Sequence, residues 1–235
     1  MTAILMPCAG FGSRLNLPYP KEIHAINRDE CLIDLSLKKM LPFFQPDTKI
    51  VCIAPKFKSD VFVYLINKYA SRFKVEFVET EYQKPEYTGS LLQAQNFIKD
   101  GALVLLPDST FDPKFDFKEF WSVVEANNRS GKPTFLTQRA KGDILKTKGA
   151  LKIVSNRVTE YYDKPERPDE YNAYWGAFTL PPSDTTLELL HCVTNRLPYE
   201  KKKLDNAMGS KPLFIENYVD LGTWENLKNF TIQNA

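Results

Sequence analysis

A glycine-bracketed turn, Ala9-Gly10-Phe11-Gly12-Ser13-Arg14-Leu15, follows directly on the apolar run Ala3–Cys8. Glycines let backbone N–H groups approach phosphate oxygens, and a basic side chain neutralises their charge. Ligands of open α/β sheets bind beyond the carboxyl ends of strands, where this loop falls. Two familiar readings fail in detail. A dinucleotide fingerprint wants a third glycine where Leu15 stands, and a P-loop wants its lysine in a GK[ST] run, where Lys21 does not lie. The plain alternative is a glycine-rich turn between a strand and a helix.

The loop together with Pro20-Lys21-Glu22 resembles the signature of the sugar-nucleotide pyrophosphorylases, the sugar-1-phosphate nucleotidyltransferases: G-x-G-[TS]-R-[LM], a spacer, then P-K. The resemblance implies that Ala9, Gly10, Gly12 and Ser13 wrap a triphosphate. It also implies that Arg14 neutralises the leaving pyrophosphate and that Lys21 contacts the phosphates at the reacting centre. The Met-Pro start and the Pro-Lys-Glu run are most similar to UTP–glucose-1-phosphate uridylyltransferases. Arg14 and Lys21 are seven positions apart. That spacer is shorter than in hexose-1-phosphate enzymes and similar to that of the cytidylyltransferases of isoprenoid synthesis, so the base stays open among UTP, CTP and dTTP.

Further segments match in the same order. Gln83 to Leu91 resembles the base-binding segment, which implies that Gln83, Gly89 and Ser90 bind the nucleotide; a surface turn and a capped helix are the alternative. Val104-Leu105-Leu106-Pro107-Asp108 resembles a strand ending in G-D, with Pro107 in the glycine's place, and implies that Asp108 is a Mg²⁺ ligand. A carboxylate at a strand tip suits an ion that takes one or two carboxylates plus phosphate oxygens; a turn or N-cap role is the alternative. Asp163-Lys164-Pro165 resembles E-K-P, where the lysine meets the acceptor phosphate; a solvated turn lysine is the alternative. Asn172 to Phe178 resembles N-x-G-x-[YF], implying acceptor contacts at Asn172 and Gly176. Tyr174 and Trp175 either stack on the acceptor or pack the core. Tyr218 to Leu227 resembles W-x-D-[IT]-G-T-x-E-x-L, implying that Asp220 is the second Mg²⁺ ligand.

Several apolar runs alternate with amphipathic ones, and these must position the loop. Strands are expected at Ala3–Cys8, Lys49–Ala54, Lys74–Val78, Ala102–Leu106 and Thr134–Arg139. Helices are expected at Leu32–Phe44, Phe57–Phe73, Gly89–Ile98 and Phe117–Asn127. Strands apolar on both faces and separated by helices predict a parallel sheet covered on both sides. Lys148–Val154 and Arg157–Tyr162 alternate around Ser155-Asn156 as a β-hairpin. A strand at Tyr174–Leu180 and helices at Thr185–Leu197 and Thr223–Ile232 follow. The fold class is α/β: a three-layer α/β/α sandwich with a mixed, mainly parallel sheet and a small β extension. One domain is expected over 1–235, with a nucleotide-binding half (1–140) and an acceptor-binding half (141–235).

Composition excludes other classes. A net charge of +2 is no nucleic-acid footprint, and the run Lys201-Lys202-Lys203 reads as a solvated surface. Cys8 and Cys52 sit in apolar strands, Cys31 and Cys192 stand apart from them, and the two histidines, His24 and His191, argue against zinc. No apolar run reaches the roughly 20 residues of a membrane span. The expected setting is cytoplasmic, with no membrane or nucleic-acid partner, and a homo-oligomer is compatible with the sequence. The expected activity is NMP transfer from an NTP to a phosphorylated small molecule, a sugar 1-phosphate, with Mg²⁺. Two alternatives stand: a cytidylyltransferase for a choline-, polyol- or amino-acid-type phosphate, and a non-catalytic sugar-nucleotide-binding regulatory paralogue. A glycosyltransferase would carry D-x-D, and Asp108-Ser109-Thr110 lacks the second aspartate.

Overall fold

Ala3–Pro7 (β1) is buried at every residue, because it lies at the centre of the sheet with both faces covered. The computed structural model describes residues 1–80, 87–183, 185–194 and 210–233. Lys49–Ala54 (β2), Lys74–Glu79 (β3) and Ala102–Leu105 (β4) run parallel with β1 in the order β4-β1-β2-β3. Alternation sends Ile4, Met6, Ile50, Cys52, Leu103 and Leu105 to one face. There they meet Leu32–Met40 (α1), Ser59–Tyr69 (α2) and, later in the chain, Phe117–Asn128 (α4). Leu5, Val51, Ile53 and Val104 point to the other face, under Tyr87–Gln93 (α3) and Thr185–Thr194 (α5). These are the three layers expected from continuous apolar strands.

The second half turns the sheet mixed. Ala173–Leu180 (β9) lies antiparallel between β4 and Phe135–Arg139 (β6), and Leu213–Phe214 (β10) extends the edge parallel to β6. Gly149–Val154 (β7) pairs with β9 and with Arg157–Asp163 (β8), so the expected hairpin is continuous with the main sheet. Ser155 and Asn156 close it with φ of 49° and 58°, the twist-matched signature of a two-residue hairpin turn. No described helix is long and apolar enough to cross a membrane.

The first three expected helices are shorter than drawn from periodicity. The first ends at Met40 and tightens into a 3₁₀ turn at Leu41–Phe43 around Pro42, which has no N–H to continue the ladder. The second opens as a 3₁₀ turn at Lys56–Lys58 and ends at Tyr69, and the third spans Tyr87–Gln93 before a 3₁₀ turn at Gln95–Phe97. Three strands escape the sequence pattern: Ser109–Phe111 (β5), β10 and Tyr218–Asp220 (β11). Each has two or three residues, too few for a period to register. Trp224–Gln233 is α6.

Asp34 locks α1 to α2. It is fully buried, accepts from the Cys31 N–H at 2.8 Å and from Lys68 Nζ at 2.6 Å, and also takes the hydroxyls of Tyr64 and Tyr69. Burial and Asp34 together push the Tyr64 and Tyr69 hydroxyls well above the ordinary phenol range, so both stay donors. Asp34→Ala strands two hydroxyls, while Lys68, about a quarter exposed, turns to water. The expected loss is about 2–3 kcal/mol in urea unfolding. A loss below about 0.5 kcal/mol, the range of neutral surface changes, would show that the network contributes nothing net.

Candidate active site

The glycine loop is built by its neighbours rather than by glycine alone. The N–H groups of Leu15 and Asn16 both donate to the Gly12 carbonyl, at 2.9 and 3.0 Å. Gly12 sits at φ +67°, where a side chain would be strained and its Cβ would meet the Lys21 stem at 3.3 Å. Beneath the loop lies Lys58, which sequence reading missed. Its ammonium donates to the carbonyls of Cys8 (2.7 Å) and Gly10 (2.8 Å) and to Glu22 Oε1 (2.7 Å). Lys58 and Glu22 are 3% and 1% exposed, so this is a fully buried ion pair with three acceptors on one cation. From α6, Trp224 Nε1 donates to the Leu15 carbonyl at 2.9 Å and anchors the loop's far end.

Two carboxylates reach the same place from remote segments. Asp108 follows β4, and Asp220 ends β11. The short strands β5 and β11 pair antiparallel with Ser109 opposite Asp220, and the Leu221 N–H donates to the Asp108 carbonyl at 2.7 Å. Gly222 stands where the carboxylates converge. A Cβ there would lie 2.8 Å from Asp220 Oδ1, 3.1 Å from Asp108 Oδ2 and 2.6 Å from the Arg14 guanidinium. The ribbon too short for a periodicity signal is therefore what joins the two halves of the site.

Each carboxylate carries cations. Lys21 Nζ donates to Asp108 Oδ2. Lys148 Nζ donates to Asp220 Oδ2 at 2.8 Å, with Arg14 Nη1 at 3.5 Å from the same oxygen. Burial alone would depress the Lys21 ammonium, but Asp108 and Glu22 outweigh it and hold its pKa above the ordinary lysine value. Burial likewise pushes the Asp220 carboxyl up, yet Lys148 and Arg14 hold it below the ordinary aspartate value. Both groups are therefore charged at neutral pH.

These side chains line one cavity of about 350 Å³, with Gly10, Gly12, Ser13 and Lys164 also on its wall. Lys164 has φ +52°, a left-handed conformation that costs a non-glycine residue on the order of 1 kcal/mol. Its N–H donates to the Lys148 carbonyl at 2.9 Å, so both lysines leave the open end of the β7–β8 hairpin together. Among the described residues, the cavity wall carries four cations, Arg14, Lys21, Lys148 and Lys164, against Asp108 and Asp220, because Glu22 is matched by Lys58. Such a surplus suits polyanionic phosphate ligands.

Of the residues singled out from sequence, Gly10, Gly12, Ser13, Arg14, Lys21, Asp108, Lys164 and Asp220 are brought together. Others are not. Ala9 is buried behind the loop. Asn172 commits its side chain to β7, accepting from Ile153 N–H at 2.9 Å and donating to its carbonyl at 2.8 Å. It braces the strand where the β7–β8 register shifts. Gly176 makes room for Tyr218, whose ring a Cβ would meet at 2.5 Å. Tyr174 is buried in the core and donates to Gln138 Oε1 at 2.8 Å. Trp175 is buried too, though one edge lines the cavity. Gly89 and Ser90 lie in α3, away from the cavity wall, with Ser90 buried. Gln83, the run Lys201–Lys203 and the side chains of His191 and Cys192 lie outside the described residues.

No protein-family model matches the sequence, and no curated protein is similar to it at a significant level. Solved structures are similar along the whole chain. A UDP-glucose pyrophosphorylase complexed with UDP-glucose superposes with a TM-score of 0.75 at 16% identity, covering 100% of this chain and 98% of that one. A UTP-bound UGPase from Acinetobacter baumannii gives 0.70 at 14% identity, covering 100% and 93%. A Bacillus anthracis protein assigned as a glucose-1-phosphate thymidylyltransferase, in complex with sucrose, gives 0.72 at 19% identity, covering 99% and 94%. Identities this low speak to architecture alone, and the superpositions show that the chain has the α/β fold of these proteins.

Proposed function

We propose that the chain is a nucleotidyltransferase that moves NMP from an NTP to a phosphorylated small molecule, a sugar 1-phosphate, giving an NDP-sugar and pyrophosphate. One observation carries the reading: among the described residues, a glycine loop, four cations and two carboxylates from segments far apart in the chain meet in one cavity. The fold is that of proteins whose described activities are of this kind.

An acceptor phosphate oxygen attacks the α-phosphorus in line. The new P–O bond forms as the bond to the bridging oxygen breaks, and the electron pair leaves with pyrophosphate. No protein nucleophile or base is needed, since the acceptor phosphate is already ionised. The chain's work is to hold two mutually repelling anions in line and to offset charge at the α-phosphate. The glycine loop cradles the triphosphate, with Arg14 toward the leaving pyrophosphate and Lys21 toward the reacting centre. Lys164 takes the acceptor phosphate. Asp108 and Asp220 fit a magnesium ion: they are hard oxygen donors that converge at Gly222, where the missing Cβ lets both carboxylates and the Arg14 guanidinium approach one point. When bound, such an ion supplies Lewis-acid neutralisation of the phosphate oxygens.

The test is pyrophosphate release over four NTPs crossed with phosphorylated acceptors, products identified by mass. The expected result is release with UTP, CTP or dTTP and a sugar 1-phosphate, with a new NDP-sugar. Release with CTP and a choline, polyol or amino-acid-type phosphate would favour the other acceptor class, which the short Arg14–Lys21 spacer allows. Nucleotide binding without release from any pair would reject the enzyme reading in favour of a binding protein.

A further inference from the structure

We propose that Lys148 is a second lysine of the acceptor-phosphate seat, and that it guards Asp220 until acceptor and metal arrive. This rests on the nucleotidyl-transfer reading above.

The placement is specific. Lys148 immediately precedes β7 and Lys164 immediately follows β8, so the two flank the terminal pair of the hairpin, Gly149 opposite Asp163. The Lys164 N–H bonded to the Lys148 carbonyl fixes their spacing at the backbone. Both side chains line the cavity that holds the two carboxylates. Gly149 sets the direction of approach. A Cβ there would fall 1.9 Å from Trp175 Nε1, so only glycine lets the indole pack against the hairpin end beside Lys148. The Lys148 ammonium also lies 5.8 Å from the centre of the Tyr174 ring, whose face steadies a cation over it.

The Lys148 ammonium holds Asp220 Oδ2, the carboxylate oxygen left over by the Gly222 N–H, which donates to Oδ1 at 2.8 Å. Cation and ammonium compete for one carboxylate. A phosphate dianion bound beside Lys164 draws Lys148 away from Asp220 and frees that oxygen for the metal. Acceptor binding and metal binding are then coupled, each tightening the other, as linkage requires. A purely structural Lys148–Asp220 pair has no such consequence.

The decisive variant is Lys148→Met, which keeps the stem and removes the charge. Mn²⁺ binding to the protein without nucleotide, followed by its electron paramagnetic resonance signal, is expected to tighten roughly three- to tenfold as the competitor disappears. Inorganic phosphate, the probe for the seat, is expected to bind about 10- to 100-fold more weakly in Lys148→Met, and Lys148→Arg to restore most of it. In the transfer assay, the acceptor KM rises by a comparable factor while the NTP KM is unchanged. Mn²⁺ binding that weakens, or phosphate binding that is unaltered, overturns the proposal. A thermal unfolding midpoint for the variant within a few degrees of the parent confirms that the comparison is between folded proteins. If no NTP and acceptor pair releases pyrophosphate in the parent, the transfer reading fails, while the Mn²⁺ and phosphate measurements still decide whether Lys148 exchanges between Asp220 and an anion.

Discussion

Asp108→Ala and Lys21→Ala are each expected to lower pyrophosphate release by about a thousandfold or more while leaving a folded protein. The magnitude follows from where the two groups lie. Lys21 and Asp108 are 12% and 14% exposed and pair with each other at the cavity wall. Charge developing on phosphate in such a site is poorly screened, so each preorganised group counts for several kcal/mol in the transition state. The fold survives because other opposite charges remain nearby. Glu22 and Asp220 still act on the Lys21 ammonium when Asp108 is gone. The double variant should be little worse than either single one, since the pair acts as a unit. Single-turnover release, with thermal unfolding in parallel, measures both quantities. Near-normal turnover in either single variant would remove these residues from the reacting centre.

Lys58→Met is the second large effect, and it acts through the loop rather than the chemistry. The substitution leaves the buried Glu22 carboxylate without its cation and strips a donor from the Cys8 and Gly10 carbonyls. Breaking a buried pair from one side typically costs about 3–5 kcal/mol. For a chain of this size, that corresponds to a fall of about 6–20 °C in the unfolding midpoint. The loop that Lys58 held by its carbonyls should also loosen, so the NTP KM rises. Lys58→Met combined with Glu22→Leu removes both charges and should recover much of the stability but not the KM, because the loop carbonyls stay without their donor. A single variant with an unchanged midpoint and KM would show that the buried pair neither stabilises the protein nor positions the loop.

The glycine loop, the apolar strands behind it and the charged residues at loop ends were legible along the chain because each rests on local rules. Continuous apolar runs mark strands covered on both faces, and closely spaced glycines ahead of a basic residue mark a turn whose N–H groups can reach an anion. Ser155-Asn156 announced its hairpin by the same local logic. Asn172 and Gly176 show where local matching stops. Both stand in a segment that resembles an acceptor strand, but tertiary packing gives Asn172 to the Ile153 backbone and Gly176 to the Tyr218 ring.

The sequence by itself determined that a glycine-rich loop with a basic residue follows a buried parallel strand, and that Arg14, Lys21, Asp108, Lys164 and Asp220 were the charges to watch. Only the tertiary structure decided what those charges do to one another. Lys58 meets Glu22 across 36 residues, Lys148 meets Asp220 across 72, and Trp224 meets the Leu15 carbonyl across 209. Contacts of that span leave no period or spacing in the chain, because they are set by which strand ends the sheet brings side by side. The β5–β11 ribbon, three residues on each strand, does this for the two carboxylates, and Gly222, lacking a Cβ, lets them and Arg14 close in on one point.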